Sequence, residues 1–391
     1  MIIQGVRIAR PERNAEEAET PEVSQRAEGA PARDQRAISD YMLSVREGVH
    51  DRNIANFLGI ASSWSYSDID TFARLMHRRS VVRYNETVGV TNANPALFVD
   101  TTAYLVQSAD KKLAILAFRG TGLQNTVNWL TDASAKPDAF LTAGHVHGGF
   151  YRAALVLWPT LSSLLGSALS GDSICEAAKK ERASVQDCIQ ACRAYGEADQ
   201  PGAPGRDTPE ALRGSGRPCS PTERNKLEAL YVTGHSLGGA LAVVAAALLH
   251  VDPSMEGIRR KLRGVYTYGQ PMVGFSDFTT RFDEEFGRKL FRHVYGKDIV
   301  PCLPPRTTGK FVHFGREFGA EDGGWMYRSK SASQVRTFLG STLVGLLATI
   351  RTQLSGLPLL QWLPTRYSWG DHSPVNYLRA SQTVPPGSEF A

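Results

Sequence analysis

Apolar positions along this chain fall into two periods, and the switching between them predicts its architecture. Helical spacing appears from Asp40 to Val49 and again from Tyr66 to Tyr84, where Ile69, Phe72 and Leu75 share one face. Two β runs follow, Ala103 to Gln107 and Leu113 to Phe118, separated by the short polar turn Ser108-Ala-Asp-Lys-Lys. Phe150 to Leu169 returns to the helical period, with apolar residues at 150, 154, 157, 161, 164 and 165. Leu230 to Thr233 reads as a short buried strand, and an alanine-rich helix, Leu237 to His250, starts directly after it. Val265 to Tyr268 and Leu290 to Tyr295 read as further strands, with a helix over Phe275 to Phe286 between them. Strands alternating with helices predict an α/β protein with a mostly parallel central sheet flanked by helices.

Residues 1–37 mix Glu, Arg, Ala and Pro with few large apolar side chains. Such a segment buries too little to offset its ordering entropy and is expected to be a disordered arm. Residues 38–391 are expected to form one domain carrying two insertions. The first, at about 172–226, contains cysteines and is loop-rich, with a helical hairpin expected over Ser173 to Tyr195 and a long surface loop over Gly196 to Ser220. The second, at about 329–364, is amphipathic. Leu339, Leu343, Leu346, Leu347, Ile350 and Leu354 form a stripe opposite Ser341, Gly345, Thr349 and Gln353. It is expected to pack on the domain or to rest on a lipid surface.

Composition narrows the classes. With 42% hydrophobic and 21% charged residues, the 391-residue chain has ample material for a core. A net charge of +5, without dense Lys/Arg blocks interleaved with aromatics, argues against nucleic acid as a partner. The N-terminus lacks the apolar run of roughly 7–15 residues that a secretory signal needs, and no run reaches the ~18 apolar residues of a membrane span. The expectation is a soluble or peripheral protein, cytoplasmic or exported by a non-standard route. Oligomeric state is not legible. Cys175, Cys188, Cys192 and Cys219 fall in the first insertion, with neither a C-x-x-C pair nor a histidine among them. Local disulfides and free thiols stay open, and no metal site is expected.

Gly234-His-Ser-Leu-Gly matches G-x-S-x-G, the turn that lifts a nucleophilic serine out of a strand end and into a helix start. The strand before it and the helix after it are the context the motif requires. The stretch resembles the class 3 lipase family, and the resemblance continues in order along the chain. Ala117-Phe-Arg-Gly-Thr121 is similar to the family's oxyanion strand, Asn128-Trp-Leu-Thr-Asp132 to its lid segment, and Val146-His-Gly-Gly-Phe150 to the start of the next helix. Tyr268-Gly-Gln-Pro-Met-Val-Gly274 and Asp298-Ile-Val-Pro-Cys-Leu-Pro-Pro305 match blocks after the nucleophile. Gly370-Asp-His-Ser-Pro-Val-Asn-Tyr377 matches the histidine block. The resemblance implies an α/β-hydrolase fold.

Acyl transfer needs a base beside the serine hydroxyl and an acid to orient the base, in the chain order Ser, Asp or Glu, His. Of the histidines after Ser236, His250 closes a helix about 20 Å along its axis from the serine. His293 and His313 sit in strand-like or core-like runs, so His372, in a polar loop, is the candidate base. Asp298 follows a strand end and is the candidate acid; Asp277 and Asp283 read as helix surface charges, and Asp371 is too close in sequence to His372 to face it. The Leu237 N–H is one candidate oxyanion donor, and the resemblance gives Thr121 the role of the other. His235 is expected to pack the elbow. Leu123, Val127, Trp129 and Leu130 are the lid candidate that the resemblance implies. The expected activity is triacylglycerol lipase-type hydrolysis of a lipid ester through an acyl-enzyme on Ser236, without a cofactor, with peripheral contact to a membrane or lipid-droplet surface. A phospholipase A1 is the alternative, and a catalytically inactive lipase-like scaffold a further one.

Overall fold

The computed structural model describes residues 3–9, 37–78, 82, 85–94, 99–120, 136–141, 143–182, 226–305, 309–321, 324–330 and 370–382. A nine-stranded sheet runs through the centre in the order β1-β2-β3-β4-β7-β8-β9-β10-β11. Its strands are β1 (Ile3–Ala9), β2 (Glu86–Asn94), β3 (Val99–Gln107), β4 (Leu113–Phe118), β7 (Ala229–His235), β8 (Leu262–Tyr268), β9 (Leu290–Val294), β10 (Arg316–Glu321) and β11 (Gly324–Arg328). The run from β4 to β10 is parallel, while β1 to β4 and the β10–β11 pair are antiparallel. Strands β5 (Pro137–Ala139) and β6 (His145–His147) form a separate small ribbon. The fold is that of an α/β-hydrolase. Strands β4 and β7 are buried at every residue, as parallel strands covered on both faces must be.

One face of the sheet is covered by α4 (Gly148–Ser170), α5 (Leu237–Val251) and α6 (Ser276–Phe286), which bury Leu157, Leu161, Val243 and Phe282. The other carries α1 (Ala37–Ser44), α2 (Arg52–Trp64), α3 (Ile69–Arg78) and α7 (Pro374–Ser381), with Leu58, Phe72 and Tyr377 in a second core. By length and composition α4 could cross a membrane. Phe150, Leu157, Leu161, Leu164 and Leu165 are nevertheless packed in the core, which accounts for its apolar character.

Three differences from the sequence reading have physical causes. The arm expected over residues 1–37 needs correcting at its start, because β1 pairs antiparallel with β2 from Ile3↔Ala93 to Ala9↔Thr87. Averaged composition hid a local alternation in which Val6 and Ile8 pack against the core, and the edge of β2 supplies the backbone partners. Residues 10–36 lie outside the described residues. The helix expected over Asp40 to Val49 ends at Ser44, and Gly48 takes the left-handed conformation (φ 69°). Helix α2, which the pattern did not predict, is rich in Asn, Ser and Gly, all weak helix formers. It is capped by Asp51, whose side chain accepts from Ile54 N at 2.9 Å. Its small residues let it lie close to the sheet: a Cβ at Gly59 would sit 3.6 Å from the Tyr268 ring.

Residues 174–182 of the first insertion are helical. Glu86 fastens the start of this helix, accepting from Ser173 Oγ at 2.7 Å and from Cys175 N at 3.4 Å. Cys188, Cys192 and Cys219 lie outside the described residues, as does the Phe338 to Leu360 stripe of the second insertion.

Candidate functional site

The turn between β7 and α5 forces Ser236 into a backbone conformation that side chains avoid, φ 57° and ψ −127°. It is held there from several sides. Ser236 N donates to Tyr268 O at 2.9 Å, and Ser236 O accepts from Gly239 N at 3.0 Å. Glycine is required around it: a Cβ at Gly234 would stand 2.2 Å from Gly238 O, and one at Gly238 would stand 2.2 Å from Phe118 O. The second of these close approaches seats the first turn of α5 on the end of β4. Leu237 begins that turn, so its N–H has no acceptor within the helix. Gly120 abuts the same elbow, where a Cβ would come within 2.7 Å of His235 O. Thr121 follows immediately but lies outside the described residues, together with Leu123, Val127, Trp129 and Leu130.

Asp298 follows β9 and is fully buried. Its Oδ1 accepts from Val300 N at 2.9 Å, and its Oδ2 accepts from His372 Nδ1 at 2.7 Å. The hydroxyl of Tyr377 donates to the same Oδ2. With its Nδ1 proton directed at the carboxylate, the imidazole of His372 presents Nε2 as an acceptor. Ser236 Oγ and His372 Nε2 are both buried, and neither has a hydrogen-bond partner among the described residues. Buried polar atoms without partners are costly, and a catalytic role is one reason a fold retains them.

The other carboxylates and histidines weighed as triad members in the sequence have partners or packing of their own. Asp371 accepts from Lys297 N at 2.8 Å. Asp277 meets His145 Nδ1 at 2.6 Å, and Asp283 meets Lys330 Nζ at 2.6 Å. His250 Nδ1 donates to Ala246 O at 2.7 Å, and His313 Nε2 to Pro301 O at 2.7 Å. His293 is buried, its Nε2 lying 3.0 Å from His50 Nε2. His235 packs in the elbow, where the Tyr66 hydroxyl lies 2.9 Å from its Nδ1. Burial pushes the Tyr66 phenol well above its ordinary range, so it stays protonated beside the ring. Burial, and then the nearby His372, hold His235 well below the usual imidazole range, so it stays neutral. Among the described residues no group of three His, Cys, Asp or Glu side chains could hold a metal ion.

Two residues at the site carried no role in the sequence reading. Gly269 (φ 59°) lies where a Cβ would come within 2.9 Å of both Asp298 Oδ2 and His372 Nδ1, so only glycine leaves room for that pair. Its signal was the Tyr268-Gly-Gln-Pro block itself. Tyr377 closes the histidine block, but no local pattern relates it to an aspartate 79 positions earlier.

Residues 221–308, which include Ser236 and Asp298, match the family model described as Lipase (class 3). Over this segment the chain is similar to class 3 lipases. It is 28% identical over 288 residues to the triacylglycerol lipase OBL1 of Ricinus communis, an alignment covering 69% of this chain and 50% of that protein. It therefore spans half the length of that relative. It is 41% identical over 105 residues to a secreted mono- and diacylglycerol lipase of Fusarium solani, covering 27% of this chain and 28% of that one. Among solved structures, the Rhizomucor miehei lipase propeptide complex aligns at 21% identity with a TM-score of 0.42, covering 74% of this chain and 78% of that one.

Two buried histidines are expected to limit the acid tolerance of the fold. Burial lowers His147 from 6.5 to about 3; burial again, outweighing the opposing pull of Asp51, lowers His50 to about 4. Between these values and 6.5 the unfolded chain binds protons that the folded chain refuses, so their contribution is present above pH 6.5 and lost as pH falls. The urea midpoint is expected to be lower at pH 5 than at pH 7. Equal midpoints would remove these histidines as determinants of stability.

Proposed function

We propose that this chain is a class 3 lipase that hydrolyses the carboxylic ester bonds of acylglycerols, with Ser236 as nucleophile, His372 as base and Asp298 as the acid that orients it. The observation that carries the reading is one buried site holding a strained serine hydroxyl and an imidazole nitrogen, both without partners among the described residues, the other imidazole nitrogen being fixed by a carboxylate. His372 Nε2 takes the Ser236 proton as Oγ attacks the ester carbonyl. The charge on the tetrahedral oxygen is received by the Leu237 N–H and by Thr121, and His372 then returns the proton to the leaving alcohol. Water repeats the cycle on the acyl-enzyme. These steps draw on side chains and backbone donors of the chain itself.

The relatives described as triacylglycerol lipase and as mono- and diacylglycerol lipase support acylglycerols as the lipid class. Residues Leu123, Val127, Trp129 and Leu130 would form the lid that yields at a membrane or lipid-droplet surface, bringing a water-insoluble ester to Ser236. The test is fatty acid release by the purified chain from emulsified triolein and from phosphatidylcholine vesicles. Triolein is expected to be cleaved faster by about tenfold or more, a ratio that a headgroup fitting the site poorly readily produces. The reverse ratio would make the enzyme a phospholipase A1, and release from neither would sink the reading.

A further inference from the structure

The hydroxyl of Tyr377 occupies a position that packing does not require. Its ring lies in an aromatic enclosure on α7, with centroids 6.2 Å from Tyr268, 6.1 Å from Trp325, 6.1 Å from Tyr295 and 5.4 Å from His235. A phenylalanine would fill such a space equally well, and a buried hydroxyl costs free energy unless it is bonded. Here it is bonded to Asp298 Oδ2, the oxygen that also accepts from His372 Nδ1. Asp298 Oδ1 is taken by Val300 N, so the carboxylate is gripped by three donors from two segments of chain.

We propose that Tyr377 is a positioning residue, which divides one Asp298 oxygen with His372 and so fixes both the plane of the carboxylate and the strength of its hold on the imidazole. The proposal rests on the reading of Ser236, Asp298 and His372 as the reacting set. It does not place Tyr377 in contact with the ester. Among the described residues, Asp298 beyond β9 and the His235 ring of the elbow at 4.6 Å face His372, and Tyr377 reaches the same Asp298 oxygen from α7. His235 is kept neutral by burial and occupied by Tyr66, and Asp371 directs its carboxylate at Lys297 N. Among the described residues, the carboxylate bonded to His372 is that of Asp298, whose Oδ2 is shared with the Tyr377 donor.

Removing that donor returns the whole charge of Oδ2 to His372 and favours the imidazolium, the form that cannot accept the serine proton. In Tyr377→Phe, the acid limb of the pH profile for fluorophosphonate labelling should move up by about 0.5–1 unit. Labelling on that limb becomes roughly three- to tenfold slower, while the alkaline plateau changes little. Thermal melting of the full chain, measured in parallel, should show a folded variant. Incorporating 3-fluorotyrosine at position 377 keeps the shape but strengthens the donor, and should move the limb the opposite way; this also serves if Tyr377→Phe does not fold. An acid limb that coincides with wild type in the folded variant, or that does not respond to fluorination, overturns the proposal. Wild-type labelling that is lost in Ser236→Ala shows that the reading of the site stands even when the Tyr377 limb does not move. A wild type that is never labelled, or labelling that persists in Ser236→Ala, sinks the site reading and this proposal with it.

Discussion

Ser236→Ala is expected to lower ester hydrolysis by about 10⁵–10⁶-fold, the scale on which serine hydrolases lose turnover with their nucleophile. The fold should survive the change. Ser236 Oγ has no hydrogen-bond partner among the described residues, and alanine keeps the same Cβ at the same backbone angles. Relief of a buried, unpartnered hydroxyl should leave the melting temperature unchanged or slightly raised. Fatty acid release in a pH-stat and covalent labelling by a fluorophosphonate both read the result. A variant that retained more than about a hundredth of wild-type turnover would require another nucleophile. A residual rate from the oxyanion donors and binding alone, far below that level, is expected.

The sheet and the elbow were legible in sequence because each rests on local chemistry. Leu113 to Phe118 and Leu230 to Thr233 are short buried apolar runs that parallel strands demand, and both lie within observed strands. The glycines of Gly234-His-Ser-Leu-Gly announce a turn that only glycine can close, as the 2.2 Å approaches at Gly234 and Gly238 bear out. What escaped was set by tertiary contact. Helix α2 has poor intrinsic propensity and forms because Ile54, Ala55 and Leu58 are buried against the sheet. Strand β1 exists by pairing with β2, and a strand's partner cannot be read from its own seven residues. The hydrogen bond from Tyr377 to Asp298 escaped for the same reason. The pairing of Asp298 with His372, by contrast, was reachable from a strand end, a polar loop and the resemblance of both blocks to class 3 lipases, the other histidines after Ser236 having reasons of their own to lie elsewhere.

The sharpest separation of that pair from its neighbours comes from Asp298→Asn, expected to cost about 10⁴-fold in turnover with little change in folding. The reason lies in which atoms must donate. Val300 N donates to Asp298 Oδ1, so an asparagine best keeps its carbonyl there and places its NH₂ where Oδ2 had been. That NH₂ faces His372 Nδ1, 2.7 Å away in the wild type, and two donors cannot share the contact. The imidazole must then carry its proton on Nε2, the nitrogen required to accept from Ser236. Flipping the amide rescues His372 but sets NH₂ against Val300 N–H, exchanging one conflict for another. Asp371→Asn is the control. Its carboxylate meets Lys297 N, and an asparagine carbonyl accepts from that N–H equally well, so activity should fall less than about threefold. Steady-state hydrolysis of a soluble short-chain ester by both variants reads the contrast. Equal losses, or a loss below tenfold in Asp298→Asn, would remove Asp298 as the residue that orients the base.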